Sequence, residues 1–441
     1  MKVLLISAYL GRKGRELPSF PLGPAYLLGN LKGHECSLFD PNMAEHPFLE
    51  TRRTIEKADP DVIALSLRNI DTTQSWDLFS YFQQFVATLR FVKEISPEAR
   101  IVVGGTAFSM FPREIMDRLP EIDYGVFLEG EYTFPELLEN IGHPERVKGL
   151  YFRNDGELFF TGRREPVDFN RLEAPPKEFP DLDLQKYKEL TFSIGVQTKR
   201  GCAFRCAYCI YPFLQGRKVR QRSPRSVVDE IEDLQNSHDV KDFFFVDTVF
   251  NYPLGHAREI CREMIRRKIE ISWTAWFRED LINKRFMIEA RNAGCHLFEF
   301  SPDGGSQEAL DTLQKDTRIN HVTETFEMVR EVENVRVVYN FMYNVPGETS
   351  KTVADFYRLL FKMAAKCWKE LEYVGLTNIR IYPNTRMHEI AMEQGIITKE
   401  TNLLAPTFYN PPPFNTAYMP MKWARAPLHE FFRVSQGIRN L

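Results

Sequence analysis

The chain has 441 residues and a formal net charge of −3, with 57 lysine and arginine residues against 60 aspartate and glutamate residues. Hydrophobic residues make up 43% and charged residues 27%, ordinary globular values that exclude wholesale disorder. This balance gives no global attraction to nucleic acid or to an anionic membrane. No apolar run approaches the roughly 20 residues of a membrane span. The apolar run at residues 3–6 is too short for a signal peptide, so we expect a cytoplasmic protein.

The first 145 residues alternate short apolar runs with amphipathic helical patterns. Continuous apolar runs of this length suit strands that are covered on both faces, as in a parallel sheet. The series predicts a doubly wound, Rossmann-like α/β domain over residues 1–145, with ligand loops at the carboxyl ends of its strands. The predicted strands are 3–6, 35–39, 62–67, 101–103 and 125–128.

Residues 146–190 break this rhythm. A turn signal between two aromatic-rich runs predicts a β-hairpin over 150–160, and a proline-dense stretch at 173–181 predicts an extended linker.

A second α/β series covers residues 191–385. Six strand–helix repeats are too few for an eight-stranded barrel, so we expect a partial, open (β/α)6 barrel. Residues 386–441 show little periodicity and are expected to pack over an opening as a C-terminal extension. The predicted strands of the barrel are 192–196, 243–246, 269–273, 297–300, 335–341 and 373–381.

Three cysteines, Cys202, Cys206 and Cys209, are separated by three and then two residues in one loop. This spacing lets three thiolates converge on one inorganic cluster. Iron–sulfur clusters normally take four cysteines, and no fourth cysteine or histidine lies nearby, which predicts a four-iron cluster with one open iron. A zinc site that recruits a distant ligand is the alternative.

The cysteine loop, with Tyr208 before the third cysteine and Arg200-Gly201 before the first, resembles the signature of radical S-adenosylmethionine enzymes. The resemblance implies that the amine and carboxylate of S-adenosylmethionine chelate the open iron of a 4Fe–4S cluster. Reductive cleavage then gives methionine and a 5′-deoxyadenosyl radical. It also implies an external electron donor of flavodoxin or ferredoxin type.

Further segments resemble the family's S-adenosylmethionine contacts. The family's ribose segment is usually Glu-Ser-Gly-Ser, and here Asp303 stands in place of the glutamate. Residues 344–349 resemble the family's Leu-Pro-Gly-Glu-Thr turn after strand five. By resemblance, the contacting residues are Tyr208, Asp247 at the methionyl amine, Arg278 at the carboxylate, and Ser301 and Asp303 at the ribose.

The first domain lacks a Gly-x-Gly-x-x-Gly after its first strand, which removes the usual dinucleotide fingerprint. Glycines at its strand ends let a large flat ligand approach the backbone. With the radical domain behind it, the domain resembles the cobalamin-binding domain of cobalamin-dependent radical S-adenosylmethionine enzymes. The candidate cobalamin contacts are Pro21, Leu22, Gly23, Leu67, Arg68, Asn69, Gly104, Gly105, Thr106, Glu129, Gly130 and Glu131.

No Asp-x-His-x-x-Gly occurs in the chain, so there is no candidate histidine to ligate cobalt from below. The resemblance implies a base-off cobalamin whose lower face lies over residues 67–71. Arg68 or Asn69 would approach cobalt or hold a water there; the alternative is that both residues only cap a helix.

The family resemblance implies a methyltransferase that transfers methyl from methylcobalamin to an unactivated carbon. The alternative keeps both cofactors in a cyclisation or rearrangement. A methylthiotransferase of transfer RNA would need three further N-terminal cysteines, whereas only Cys36 lies there. A non-enzymatic carrier would have no use for the barrel. The substrate class stays open between a small molecule, a lipid and a peptide, and no nucleic acid is expected.

Two segments allow two interpretations each. The basic stretch 217–225 either binds an anionic substrate or is a solvated loop before a helix. The proline- and aromatic-rich segment 406–418 either closes the gap over the substrate or packs at the bottom of the barrel.

Overall fold

A computed structural model describes residues 1–12, 18–75, 77–179 and 181–418. The first 160 residues form one sheet of seven strands in the order β2-β1-β3-β4-β5-β6-β7. Its elements are β1 (Lys2–Ser7), α1 (Leu22–Gly29), β2 (Glu35–Phe39), α2 (Pro47–Ala58), β3 (Val62–Ser66), α3 (Tyr81–Ile95), β4 (Arg100–Gly104), α4 (Thr106–Met110), α5 (Pro112–Arg118), β5 (Tyr124–Val126), α6 (Gly130–Glu139), β6 (Leu150–Asn154) and β7 (Glu157–Phe160).

Strands β1 to β5 are parallel, which confirms the predicted doubly wound domain. The predicted hairpin is also present as β6 and β7, but β6 pairs antiparallel with β5, so the hairpin extends this sheet. The continuous apolar character of β1 has a simple cause. Leu4 and Ile6 pack into the core on one face, while Val3 and Leu5 pack into the core on the other.

The second half of the chain forms a six-stranded parallel sheet in the order β15-β14-β13-β12-β11-β8. Its elements, with flanking short ones, are α7 (Leu184–Lys188), β8 (Gly195–Val196), β9 (Lys199–Arg200), α8 (Tyr211–Gln215), β10 (Arg220–Gln221), α9 (Pro224–Asn236), β11 (Asp242–Phe245), α10 (Leu254–Arg266), β12 (Ser272–Phe277), α11 (Lys284–Asn292), β13 (Cys295–Asp303), α12 (Gln307–Thr312), α13 (Ile319–Glu331), β14 (Arg336–Met342), α14 (Ser350–Cys367), β15 (Leu371–Thr377), β16 (Ile379–Arg380), α15 (Arg386–Glu393) and β17 (Phe408–Tyr409).

Within the described residues, β8 and β15 do not pair with each other, so the sheet stays open and the predicted partial barrel is confirmed. Three predicted strand boundaries of the barrel were wrong. The run 192–196 is a strand only at β8, and the run 373–381 is divided between β15 and β16. The apolar run 269–273 precedes most of β12, and Ile269 and Ile271 are buried in the connection from α10.

The C-terminal extension is described as far as residue 418, and the rest of the predicted extension, 419–441, lies outside the described residues, as does Pro180 of the predicted linker. Strand β17 pairs antiparallel with β16, just beyond the end of β15. The Asn344 amide, which follows β14, donates to the Asn410 side chain at 2.8 Å. The segment therefore lies at the carboxyl ends of the barrel strands. This placement favours closure of the barrel mouth over packing at the bottom. No helix among the described residues is long and apolar enough to cross a membrane.

Candidate active site

The cysteine loop, residues 201–209, begins directly after β9. Gly201 has a φ of +94°, and a Cβ there would lie 2.2 Å from the carbonyl oxygen of Lys218. Only glycine lets the loop pass this closely under the turn before β10. The amide of Cys202 donates to the Gly216 carbonyl in the same turn at 3.1 Å. The first cysteine is therefore held by backbone contacts on its outer side.

The three thiols of the loop are all free; Cys202 is buried, and Cys206 and Cys209 are half-buried. Burial raises the pKa of Cys209 to about 12, and the Cys206 and Cys202 thiols add to the rise. The thiols thus face a shared space. In the part of the chain that the structure describes, no three His, Cys, Asp or Glu side chains are already drawn together as a metal-binding group. Soft thiol donors from a single loop are the set that an iron–sulfur cluster takes, so the chemistry of the site fits that group.

A cluster of three polar side chains lies beside the thiols. The Tyr208 hydroxyl and the Lys315 ammonium both donate to the carboxylate of Asp303, and Lys315 also reaches the Tyr208 oxygen at 3.4 Å. Asp303 ends β13 with a φ of +66°. Burial raises the pKa of Cys206; the charge of Lys315 opposes this rise, and that of Asp303 adds to it. The structure therefore joins two predicted residues, Tyr208 and Asp303, through a lysine that the sequence analysis did not find.

The Arg278 guanidinium is directed at the cysteine loop from the end of β12. It stacks on the Phe204 ring at 3.8 Å from the ring centre. It also donates twice to the carboxylate of Asp280, at 2.9 Å each, and once to the carbonyl of Lys315 at 3.0 Å. Arg278 lies beside the cysteine loop, as predicted, but it already has a carboxylate partner, Asp280, from its own turn. Binding of the S-adenosylmethionine carboxylate by Arg278 stays a prediction. The guanidinium would have to bind that carboxylate and Asp280 at the same time.

Asp247 is placed differently from its predicted role. Its carboxylate accepts bonds from the Thr198 amide at 2.8 Å, the Lys199 amide at 3.2 Å and the Lys199 ammonium at 3.0 Å. It is 1% exposed. Both oxygens are committed to the strand before the cysteine loop, so the side chain has little left for a ligand amine. Ser301, by contrast, is half-buried on β13, two residues before Asp303, and the pairing of β13 with β14 is irregular between Phe300 and Asp303.

The loops after β3 and β4 meet at the edge of the first domain. Gly105 has a φ of +102°, and a Cβ there would lie 2.5 Å from the Leu67 carbonyl oxygen. The Thr106 hydroxyl donates to the carbonyl of Arg68. The Arg68 and Asn69 side chains are exposed. We call these two loops, with Leu67, Gly105 and Thr106 at their contact, the cradle. The glycine lets the two backbones pass closely, and the cradle fits the approach of a large flat group to the backbone, as expected for cobalamin. Predicted residues Pro21, Leu22, Gly23, Gly104 and Gly130 lie at neighbouring strand ends or helix starts.

Two predicted cobalamin contacts, Glu129 and Glu131, are used elsewhere. Glu129 receives two bonds from Arg220, at 2.7 and 2.8 Å, and one from the amide of Val167 at 2.9 Å. Arg200, directly before the cysteine loop, pairs with Glu131 at 2.6 Å and with Glu129 at 3.4 Å. We call these four charged residues the glutamate–arginine seam. Their carboxylates join the first domain to the barrel, and this pairing leaves them little capacity for a ligand.

Two phenols lie where the domains meet. Burial raises the pKa of Tyr211, two residues after Cys209; Arg68 lowers it and Cys209 raises it. The ring is nevertheless 44% exposed. Tyr211 begins α8, and Leu214 of this helix is buried in one hydrophobic cluster with Leu67 of the first domain. Burial likewise raises the pKa of Tyr382, with further contributions from Asp71 and Tyr211. The helix after the cysteine loop therefore packs on the first domain beside the loop that carries Arg68.

A second buried ion pair, which we call the Asp71–Arg380 clamp, holds that loop. The Arg380 guanidinium donates to Asp71 at 2.8 Å, and the two side chains are 3% and 0% exposed. It also donates to the carbonyls of Leu403 at 2.7 Å and Thr407 at 3.2 Å. The clamp therefore ties the first domain to the end of the barrel and to the C-terminal extension at once.

Three residues were missed by sequence reasoning: Lys315, Tyr211 and Arg380. Asp71 lay in the predicted segment 67–71, but its pairing with Arg380 was not predicted. Tyr211 had a usable signal, since it follows Cys209 by two residues. Lys315 and Arg380 had none, because single charged residues are usually solvated. Their roles depend on contacts between residues that are distant in the chain.

The comparisons with known proteins agree with both predicted domains. Residues 196–360 match the family model of the Radical SAM superfamily, and residues 15–138 match that of the B12 binding domain. An uncharacterised methyltransferase of Pyrococcus horikoshii is 26% identical over 407 residues, 90% of this chain and 84% of that protein. The anaerobic magnesium-protoporphyrin IX monomethyl ester cyclase of Cereibacter sphaeroides is 27% identical over 381 residues, 81% of this chain but 59% of the cyclase.

Among solved structures, the fold is similar to that of TsrM from Kitasatospora setae. This radical S-adenosylmethionine methyltransferase was solved with cobalamin and a [4Fe–4S] cluster bound. The TM-score is 0.77 at 21% sequence identity, with 90% of this chain and 79% of that chain covered. At this identity the likeness concerns the fold.

The two domains and the cysteine loop define a radical S-adenosylmethionine enzyme with an attached B12 binding domain. Its matched domains are those of cobalamin-dependent radical S-adenosylmethionine enzymes, and they support the predicted cofactors, a 4Fe–4S cluster, S-adenosylmethionine and cobalamin.

Proposed function

We propose that the protein is a methyltransferase that transfers a methyl group from cobalamin to an unactivated carbon of its substrate. The observation that carries the proposal is the domain junction, where α8, the helix after the cysteine loop, packs on the first domain next to the loop with Arg68. A substrate at this junction would have the cluster loop on one side and the corrin cradle on the other. The methyltransferase of Pyrococcus horikoshii, similar over 90% of this chain, supports the proposal.

When bound, S-adenosylmethionine on its cluster supplies a carbon radical that abstracts hydrogen, and cobalamin supplies the methyl group. The protein's residues bind, orient and exclude water. Cys202, Cys206 and Cys209 would hold the cluster. The positive charges of Lys315 and Arg278 both act to lower the pKa of the Cys206 thiol. Positive charge beside a thiolate favours the deprotonated form that ligates iron.

The cradle residues Leu67, Gly105 and Thr106 would support the corrin from the first domain, with Arg68 and Asn69 beneath cobalt. No histidine occurs in residues 67–71, so no imidazole of this loop would ligate a bound cobalamin. The extension at 403–410, held by Arg380 and Asn344, would close the domain junction against water.

A cyclisation or rearrangement with the same cofactors is the second candidate. The magnesium-protoporphyrin cyclase of Cereibacter sphaeroides, 27% identical over 81% of this chain, favours it. The substrate of either reaction would be a small molecule, a lipid or a peptide. Both reactions need one external electron for each cleavage of S-adenosylmethionine, which we assign to a flavodoxin- or ferredoxin-type donor.

The test is anaerobic incubation of the reconstituted protein with cobalamin, S-adenosylmethionine, a reductant and a metabolite extract. A methyltransferase consumes S-adenosylmethionine twice, so S-adenosylhomocysteine and 5′-deoxyadenosine should both accumulate, and the product should gain one methylene. A cyclase or mutase would form 5′-deoxyadenosine without S-adenosylhomocysteine. The Cys206→Ala variant is the control, because cleavage that persists in it would not arise from the cluster.

A further inference from the structure

The barrel sheet is less buried on its inner face than on its outer face. The outer face packs against the helices: Phe277 on β12 contacts Phe286 of α11, and Phe341 on β14 contacts Phe356 of α14. Side chains alternate between the two faces of a strand, so the neighbours of these residues point to the inner face. The inner-face residues of β11 to β14 include Phe244, Trp276, Glu299, Asn340 and Met342, all half-buried.

Three of these side chains occupy neighbouring positions. Trp276 and Glu299 are register partners on β12 and β13, and Val338 is the partner of Glu299 on β14. Asn340 follows two residues later on β14, where its partner on β15 is Gly375. Paired residues of adjacent strands lie about 4.8 Å apart and project to the same face. We call Trp276, Glu299 and Asn340 the inner-face group.

The Glu299 carboxylate has no cation beside it in the part of the chain that the structure describes. It accepts a bond from the Thr274 hydroxyl at 3.4 Å, and burial raises its pKa to about 7 with no charged neighbour to lower it. Arg222 of the basic stretch gives another buried acid, Glu230, its partner at 2.5 Å, so the solvated loop is wrong for this arginine. Glu279, whose oxygens have no hydrogen-bond partner among the described residues, is 2% exposed and closed to a ligand. Glu299 is thus an unpaired carboxylate on an accessible face.

Asn340 contributes a side-chain amide to the same face. Its Nδ2 is buried and has no hydrogen-bond partner among the described residues. Its Oδ1 lies so close to β15 that a Cβ at Gly375 would come within 2.1 Å of it, so only glycine leaves room for the amide there. Buried polar groups in native proteins nearly always have a partner, which makes this amide a candidate to bind a ligand group.

We propose that the inner-face group binds a protonated amine of the substrate, so that the substrate is an amine-bearing small molecule. The proposal rests on the proposed function in taking the barrel as the place where the substrate reacts. The Glu299 carboxylate supplies the opposite charge, the electron-rich face of Trp276 attracts a cation, and the Asn340 amide orients the group that it bonds.

The depth of the group separates this amine from the amine of S-adenosylmethionine. Glu299 lies four residues before Asp303 on β13, about 13 Å along the strand, and Asp303 is the residue beside the thiols. The family resemblance places the methionyl amine at the cluster. An amine held by Glu299 would therefore belong to a second molecule, bound deeper in the barrel than the cysteine loop.

The test measures binding rather than turnover. Isothermal titration calorimetry of the reconstituted holoenzyme compares three probes of similar shape, phenethylamine, phenethyl alcohol and hydrocinnamate, which end in an ammonium, a hydroxyl and a carboxylate. We expect the amine to bind with a Kd on the order of 1 mM, more tightly than the alcohol and the carboxylate. Glu299→Gln should weaken the amine at least about tenfold and leave the alcohol within about threefold, because only a charge is lost. Trp276→Leu should weaken the amine about two- to fivefold.

The matched control is Glu333→Gln, which removes an equal charge from an exposed position and should leave the amine affinity unchanged. Equal amine affinities of the wild type and Glu299→Gln, tighter binding of hydrocinnamate, or no binding at about 20 mM phenethylamine would each overturn the proposal. An equal fall of the S-adenosylmethionine affinity in Glu299→Gln would overturn it too, because the carboxylate would then serve the cofactor. If Glu299→Gln does not fold, Asn340→Ala and Trp276→Leu replace it, and unchanged amine affinity in both refutes the group. Incubations without S-adenosylhomocysteine would instead refute methyl transfer and leave the calorimetry untouched.

Discussion

The two sides of the domain junction use their acidic side chains in opposite ways. On the barrel side, Asp303 stays beside the thiols, bonded to Tyr208 and Lys315 within the candidate site. On the side of the first domain, Glu129 and Glu131 are bound by arginines from the barrel half. The Asp303 carboxylate of the barrel therefore lies within the candidate site, whereas the Glu129 and Glu131 carboxylates of the first domain bind the domain interface.

What remains on the first-domain side is a cradle of glycine, neutral and cationic groups. Such a surface suits a bulky ligand that is held by shape and by backbone contacts rather than by ion pairs. The cluster side, by contrast, concentrates charge next to the atoms that bind iron. A carboxylate at a strand end is therefore not by itself evidence of a ligand site, because a domain interface also needs charged partners.

The largest effect should come from the cluster side. Replacement of Cys202, Cys206 and Cys209 together by alanine should remove the iron and abolish 5′-deoxyadenosine formation, because no other thiol of the loop can substitute. Cobalamin binding should largely survive, since the cradle lies in the other domain. Iron analysis, chromatography of the nucleoside products and the absorbance of bound cobalamin measure the three outcomes. Loss of cobalamin together with iron would mean that the two sides are not separable.

The next effect concerns the glutamate–arginine seam. Arg200→Gln leaves the buried Glu131 carboxylate without its ion-pair partner, and removal of one member of a buried pair costs about 3–5 kcal/mol. Urea unfolding should show this loss of stability. Arg171→Gln, which breaks an exposed pair with Asp168, serves as the control and should change little. Equal stability of the two variants would show that the seam does not hold the domains.

Loss of the Asp71–Arg380 clamp should lower the free energy of unfolding less than loss of the seam does. It should change the surroundings of bound cobalt more. Arg380→Gln should cost about 2 kcal/mol, because Asp71 keeps a bond from the Thr73 amide at 2.9 Å. The released loop carries Arg68 and Asn69, so the electron paramagnetic resonance spectrum of bound cob(II)alamin should change. Iron content should not change. Arg380→Lys, which keeps the charge, should restore part of the wild-type spectrum; identical spectra in all three proteins would contradict a role of the clamp beneath cobalt.

The same contrasts explain which parts of the fold and of the candidate site could be predicted from the sequence. The fold and the cluster site could be predicted because their signals are local: apolar runs for strands, and three cysteines within eight residues. The seam and the clamp could not be predicted, because Asp71 and Arg380 are 309 residues apart and neither has a distinctive neighbour. The ion pairs of Glu129 and Glu131, which were predicted as cobalamin contacts, could not be predicted for a related reason. Their position at a strand end was visible, but their partners were not.

The smallest effect tests a carboxylate that is paired with neither a cation nor a ligand. Glu348, in the turn after β14, accepts a bond from the Tyr418 hydroxyl of the C-terminal extension. Burial raises its pKa to about 7, and the Tyr418 bond opposes this rise. An acid whose pKa is higher in the folded than in the unfolded protein stabilises the fold when protonated. Stability should therefore fall as the pH rises from about 4.5 to about 7.

A full shift of this size would correspond to about 3 kcal/mol, but Glu348 is only half-buried, so we expect about 1–2 kcal/mol. Urea unfolding at several pH values between about 4.5 and 8 measures the slope. Glu348→Gln should flatten it, because no proton is left to lose at this position. Tyr418→Phe should move the fall to higher pH, because it removes the bond that favours the ionised form. Parallel curves for the wild type and Glu348→Gln would show that the carboxylate is solvated and that the extension is not held at this point.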